Sequence, residues 1–301
     1  SVDLILLDAN FPGNENPGWV KESSDFLYDD RFKQAHNVML GFGGSAMLQA
    51  LCYDVSTHHA QEGHAAALML RLLLEKGWDE KAVDAVREMC IFTNHTPLRT
   101  GMPTYSLSDM ETAIGHSLPD KIRELAGHNG FNTNLFAANL SRYVNAVSRM
   151  HAQVLRQMPE FAGKSIEYIT NGVHWRFISQ RMQQLLDSHV NGNWRLYPER
   201  LLTAAISPDQ IETVHQADKK DLVDMANEHA GVLRSARLTH DVFLAGFARR
   251  FVPYKRAWLP LADGGMLRQL PGDVQLVYAG KAHRNDGQGQ GLLSHVLSTG
   301  L

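Results

Sequence analysis

The densest chemistry in this 301-residue chain lies in Arg249-Arg250-Phe251-Val252-Pro253-Tyr254-Lys255-Arg256, where four cations fall within eight residues and no acid interrupts them. The segment directly follows Val242-Phe243-Leu244-Ala245-Gly246-Phe247, an apolar run that reads as a buried strand. In an open α/β sheet the carboxyl end of a strand faces the ligand crevice. Cations placed there make a site for an oxyanion such as phosphate. A solvated basic turn would have the same composition, and both readings stand on spacing alone.

Three further segments could carry chemistry. His58-His59-Ala60-Gln61-Glu62-Gly63-His64 leads into a helical stretch. Its histidines and Glu62 are zinc-ligand types, but standard ligand spacing is missing. The same residues could form a polar cluster at a strand-to-helix corner that bonds sugar hydroxyls, or serve as caps and core histidines. Thr93-Asn94-His95-Thr96-Pro97 follows a short strand-like run. Pro97 forces Thr96 out of helical geometry, which holds His95 in a fixed loop. Tyr168-Ile169-Thr170-Asn171-Gly172-Val173-His174 carries an Asn-Gly turn that could present Asn171 to a ligand or simply reverse the chain. Gly41-Phe42-Gly43-Gly44 is not a dinucleotide loop: no strand precedes it and the GxGxxG spacing fails before Met47. It reads instead as a place where helices pack closely.

These segments need elements to position them. Residues 2–8 and 166–170 read as strands, as does the run 90–93. Helices are expected over 30–51, 65–76, 80–89 and 134–158, with a polar, mostly helical stretch over 180–235. A second unit begins near residue 240, with strands at 242–247 and 274–279 and a helix over 254–270 between them. That makes one βαβ unit, and open parallel sheets rarely stop at two strands. The alternation points to α/β architecture, with domains at 1–238 and 239–301. The chain opens on Ser1 and closes within a helical pattern, so it is expected to be cut from something longer.

Composition excludes several function classes. Hydrophobic residues make up 44% and charged residues 20%, with a formal net charge of −3. Such a balance argues against nucleic acid as the main partner. No apolar run reaches the length of a membrane span. Cys52 and Cys90 are the two cysteines; they lie far apart, without metal spacing, and fit a reducing cytoplasm.

Taken in order, the segments resemble one family. The set is His59-Ala60-Gln61-Glu62-Gly63-His64-Ala65, Thr93-Asn94-His95-Thr96-Pro97, Asn145-Ala146-Val147-Ser148-Arg149-Met150-His151, Thr170-Asn171-Gly172-Val173-His174, Gly246 through Arg256, and Ala279-Gly280-Lys281-Ala282-His283. It resembles the glycogen, starch and maltodextrin phosphorylases, in their shorter bacterial and archaeal branch. The resemblance covers nearly the whole chain and is weakest over 180–240. It implies a glycosyltransferase B type fold, α/β with two Rossmann-like domains of which the second is truncated here, and an active site in the cleft between domains. It further implies cleavage of the terminal α-1,4 bond of a glucan by orthophosphate, giving α-glucose 1-phosphate, with pyridoxal phosphate as cofactor. Carried over by position, Arg250 and Lys255 would bind the substrate phosphate, and Arg249 would lie near the cofactor phosphate. His95 would contact the glucosyl unit through main chain or ring, Asn171 would bond a sugar hydroxyl, and Glu62 and His64 would line the cleft. No metal is implied, and homo-oligomerisation is left open.

The residue types suit that reaction. Two phosphate dianions held close together repel by several kcal/mol in a partly dry cleft. Fixed cations offset that repulsion, Arg as a bidentate fork and Lys as a point charge. The chain departs from the family in having Gln61 where Asn is usual. No stretch resembles the early Gly-rich phosphate loop or the later segment with the lysine that holds pyridoxal phosphate, and Lys281 lacks that lysine's motif. The isolated 301 residues are therefore expected to lack turnover. Competing readings are a nucleotide-sugar-dependent glucan synthase of the same fold, a non-catalytic glucan-binding remnant, and a metal-dependent hydrolase built on His59, Glu62 and His64.

Overall fold

The structure, a computed structural model, describes residues 3–14, 30–233, 237–262, 273–284 and 286–299. Contacts divide the chain into two compact units, Ser1–Gly172 and Val173–Leu301.

The first unit is built on a four-stranded parallel sheet. Its helices are α1 (Asp30–Val38), α2 (Gly44–Ala50), α3 (Ala66–Lys76), α4 (Glu80–Met89), α5 (Leu107–Ile114), α6 (Lys121–Ala126), α7 (Thr133–Asn139) and α8 (Arg149–Leu155). Its strands are β1 (His58–Gln61), β2 (Cys90–Asn94), the two-residue β3 (Thr104–Tyr105) and β4 (Phe131–Asn132), β5 (Tyr143–Ala146) and β6 (Ile166–Tyr168). The sheet runs β1-β2-β5-β6, and β3 pairs with β4 in a separate antiparallel ladder. A parallel sheet covered by helices buries nearly every side chain it carries. Ala60, Phe92, Val144, Ala146 and Ile166 are accordingly buried.

Local chemistry sets the helix starts. Asp79, Ser106, Asn132 and Ser148 accept backbone N–H bonds in the first turns of α4, α5, α7 and α8. Helix α3 buries Ala66, Ala67, Met69, Leu70, Leu72 and Leu73. A π-helical segment, Met39–Gly43, joins α1 to α2 and crosses α3. A side chain at Gly41 would put its Cβ 2.3 Å from Leu68 N and 2.4 Å from the Ala67 carbonyl carbon. Gly41 therefore marks close helix packing, as expected for this segment.

Two expectations are corrected here. Residues 134–158 are not one helix: α7 ends at Asn139 and α8 starts at Arg149, with β5 between them, paired on both sides by β2 and β6. Central placement in the sheet overrides the helix-forming composition on either side. Residues 3–8 form no strand; Leu4 is 83% and Leu6 79% exposed, and no described strand pairs with them.

In the second unit, α9 (Gln180–His189) packs against the long α10 (Pro208–Leu233). β7 (Phe243–Ala248) and β8 (Val274–Ala279) pair in parallel over six residues, and α11 (Gly287–Thr299) follows. The boundary read at 238/239 lies inside this unit. There the Asn227 side chain of α10 accepts from Leu238 N at 2.8 Å and donates to Leu238 O at 2.9 Å. The helix expected over 254–270 is replaced, where described, by single 3-10 turns at Pro253–Lys255 and Leu259–Leu261, since Pro253 and Pro260 each remove a helical donor. Residues 263–270 lie outside the described residues.

Candidate active site

The carboxyl ends of β1, β2, β5 and β6 share one edge of the sheet, and the motif residues of the first unit follow those ends. The sharpest feature is the corner after β1. Glu62 holds φ 62° and ψ 169°, a conformation that nearly all non-glycine residues avoid. Its N–H donates to Thr93 O at 2.9 Å, which ties the corner to β2. Gly63 is required next, because a Cβ there would fall 2.3 Å from Thr133 Oγ1 and 2.7 Å from Asn134 Nδ2.

The strained corner turns the Glu62 side chain across the end of β2. Oε1 accepts the His95 backbone N–H at 2.8 Å, and Oε2 accepts Asn94 Nδ2 at 3.2 Å. Burial pushes the Glu62 carboxyl above its ordinary range, while N–H groups of His95, Gly63 and Thr96 and the Thr96 hydroxyl pull it back down. Asn94 is fully buried and gives its remaining amide proton to Asn134 Oδ1 at 2.9 Å.

His95 is exposed at the end of β2, yet held at two points. Besides its N–H bond to Glu62, its Nε2 lies 2.7 Å from Gln61 Oε1. An amide oxygen only accepts, so Nε2 carries a proton in this contact. Gln61, the residue that departs from the family pattern, thus orients the His95 ring. Neighbouring His59 lies 2.7 Å from Thr93 Oγ1, and burial, with His95 adding its charge, depresses its pKa. His64 is half-buried in the turn Gly63–Ala65, and burial together with Lys33 lowers its pKa. Asn171 is exposed past the end of β6. The structure therefore brings Glu62 and His95 into direct contact and places Asn171 on the same sheet edge. Asn94, Asn134 and Gln61 complete the support. Asn94 lies inside the Thr93–Pro97 segment, but its burial is a matter of strand pairing that spacing does not reveal.

In the second unit the cationic segment follows β7 directly. Arg249 N donates to Ala279 O at 3.0 Å, and Phe251 N to Lys281 O at 3.1 Å, so the two strand ends continue pairing into the turn. Gly280 has φ 156°, and a Cβ there would fall 2.0 Å from Arg249 O. Phe251 is buried with Ala257 and Val296, which anchors the turn, while Arg249 and Arg250, directly before it, stay exposed. Arg250 Nη2 approaches Tyr254 OH at 3.5 Å, and Lys255 Nζ sits 4.9 Å from the centre of the Tyr254 ring. Among the described residues, none of Arg249, Arg250 and Lys255 forms a salt bridge. A cluster of like charges without carboxylates is matched to an anion.

Among the described residues no group of three or more His, Cys, Asp or Glu side chains is placed to hold a metal. No described helix is long and apolar enough to cross a membrane.

No family model matches the chain. Curated relatives do. A glycogen phosphorylase from Aquifex aeolicus is 31% identical over 340 aligned residues, covering 98% of this chain and 49% of the relative. A maltodextrin phosphorylase from Thermococcus litoralis is 30% identical, covering 98% of this chain and 40% of the relative. A glycogen phosphorylase from Mycobacterium bovis is 27% identical, with 98% and 40% covered. The chain spans about half the length of the curated relatives it matches, or less. Over nearly its whole length, strand-end corners and cationic turn included, the chain is similar to part of these glycogen and maltodextrin phosphorylases.

Proposed function

We propose that the protein carrying this chain splits the terminal α-1,4 bond of a glycogen- or maltodextrin-type glucan with orthophosphate, releasing α-glucose 1-phosphate. The observation that carries this reading is the 98% coverage of the chain by relatives named for glycogen and maltodextrin phosphorolysis. The finer fold reading, a glycosyltransferase B type pair of Rossmann-like domains, rests on the same kinship and on the parallel sheet found in each unit.

The roles follow from the chemistry of the residues. Arg250 and Lys255 bind the attacking phosphate, the first by a fork of N–H donors and the second as a point charge. Rigid backbone around Phe251 and Gly280 fixes them before the anion arrives, which is the condition for electrostatic stabilisation of a transition state. His95 meets the glucosyl unit through its carbonyl and Nδ1, because its N–H and Nε2 are already committed to Glu62 and Gln61. Asn171 bonds a sugar hydroxyl. Glu62 and His64 line the sugar-facing edge.

Pyridoxal phosphate is the proposed cofactor. When bound, it supplies a phosphate group that relays the proton toward the leaving oxygen. Arg249 fits the role of holding that group: it is exposed, lies beside Arg250, and its backbone is clamped between Ala279 and Gly280. The reading is tested by assaying the protein on a maltooligosaccharide with orthophosphate and, separately, with a nucleoside diphosphate glucose. Glucose 1-phosphate formed only with orthophosphate supports it. Chain extension from the nucleotide sugar would replace it with the synthase.

A further inference from the structure

We propose that Asn94 and His151 are positioning residues: they form the buried middle of a hydrogen-bonded relay that fixes His95 and Asn171 relative to each other across three strand ends. The inference rests on the sugar-facing roles proposed for His95 and Asn171, and it adds two residues to which no role is otherwise given.

The relay can be followed atom by atom. It begins at the His95 N–H, held by Glu62, whose second oxygen accepts from Asn94 Nδ2. Asn94 Oδ1 then accepts from His151 Nε2 at 2.9 Å. His151 Nδ1 accepts the Val147 N–H at 3.4 Å, at the long end for such a bond. The Val147 carbonyl accepts the Asn171 N–H at 3.3 Å. Thus the end of β2, the end of β5 and the turn after β6 are joined by one chain of donors and acceptors.

Each link admits one polarity. An amide oxygen cannot donate, so His151 carries its proton on Nε2, and Nδ1 must be bare to accept from Val147. The ring is neutral in this arrangement. Protonation would set an Nδ1–H against the Val147 N–H and open the relay. Burial, with the His95 charge adding to it, lowers the His151 pKa and so favours the neutral ring. Asn94 is 0% and His151 7% exposed, so water does not compete at the middle of the relay. The Ser148 hydroxyl accepts the His151 N–H at 3.2 Å and thereby caps α8, which holds the ring's own backbone. A fully satisfied buried network of this kind specifies one geometry.

A structural core histidine and a positioning histidine make different predictions. His151→Asn keeps an acceptor near Val147 but is too short to reach Asn94. His151→Gln reaches Asn94 and keeps that donor. In the whole protein, His151→Asn should lower kcat/KM for the glucan roughly tenfold, while KM for orthophosphate stays at the parent value and His151→Gln recovers part of the loss. A folded His151→Asn within about twofold of the parent in glucan kcat/KM would overturn the proposal, as would an equal loss on the glucan and phosphate sides. If the parent forms no glucose 1-phosphate, the functional reading fails and the relay is judged by amide hydrogen exchange on the unmodified 301-residue chain. The relay requires slow exchange at both His95 and Asn171, although both residues are exposed. Free exchange at either amide would overturn it, whether or not any variant folds.

Discussion

Glu62 Oε1 lies 2.8 Å from the backbone nitrogen of His95, and this one bond fixes the loop that follows β2. The glutamate accepts it from a backbone conformation of φ 62°, so the corner stores strain of about 1–3 kcal/mol that the surrounding contacts must hold. Glu62→Gln replaces one acceptor oxygen with a donor that faces either the His95 N–H or Asn94 Nδ2. One of those partners is then left unsatisfied, at a cost of about 1–3 kcal/mol. Urea denaturation should show a lower midpoint with an unchanged slope. An unchanged midpoint would mean that the carboxylate is not needed at that corner.

Histidine protonation should set the acid limit of stability. His58, His59, His64 and His151 all have folded pKa values below the ordinary 6.5, in each case chiefly through burial. Above 6.5 both folded and unfolded chains hold these rings neutral. As pH falls below 6.5 the unfolded chain takes up protons that the folded chain refuses, so stability is lost on acidification. Glu62 works in the opposite sense: its raised pKa favours the folded state at low pH and loses that contribution as pH rises. With four histidines against one carboxyl, Tm should fall between about pH 7.5 and about pH 5.5. A flat or rising Tm over that range would contradict the buried, neutral assignment.

The two thiols should react very differently. Cys52 is exposed, whereas Cys90 is fully buried at the start of β2 and burial pushes its thiol up to about 12. A thiolate-seeking reagent should modify one cysteine at once and the second only on unfolding. Rapid modification of both in the native protein would show that the β2 edge opens freely.

Gly41→Ala should destabilise the first unit by about 1–3 kcal/mol or more, because the new methyl meets backbone of α3 rather than a movable side chain. Gly44→Ala, three residues on and with open space at its Cβ, is the matched control. Equal Tm values for the two variants would remove the packing role given to Gly41.

Much of the site was legible because strand ends leave local marks. The apolar runs before His95, before Asn171 and before Arg249 are short and bounded by turn residues, and the structure places β2, β6 and β7 there. What escaped was set by contacts distant in sequence. β5 is four residues flanked by helix-forming sequence, and its strand character comes from pairing with β2 and β6. The run at residues 3–8 has the composition of a strand but no described partner. His151 sits on α8, and only the fold turns its ring toward Asn94, 57 residues away.

The central claim is that the cations after β7 meet orthophosphate while the protein cleaves glucan. Its most direct test is the initial rate of glucose 1-phosphate formation from a maltooligosaccharide as orthophosphate is varied, for the whole protein and for Arg250→Ala and Lys255→Gln. Phosphate-dependent product is expected in the parent, with a loss of about a hundredfold or more in kcat/KM for Arg250→Ala and a raised phosphate KM for Lys255→Gln. Rates within about twofold of the parent for Arg250→Ala, or an unchanged phosphate dependence for Lys255→Gln, would contradict it.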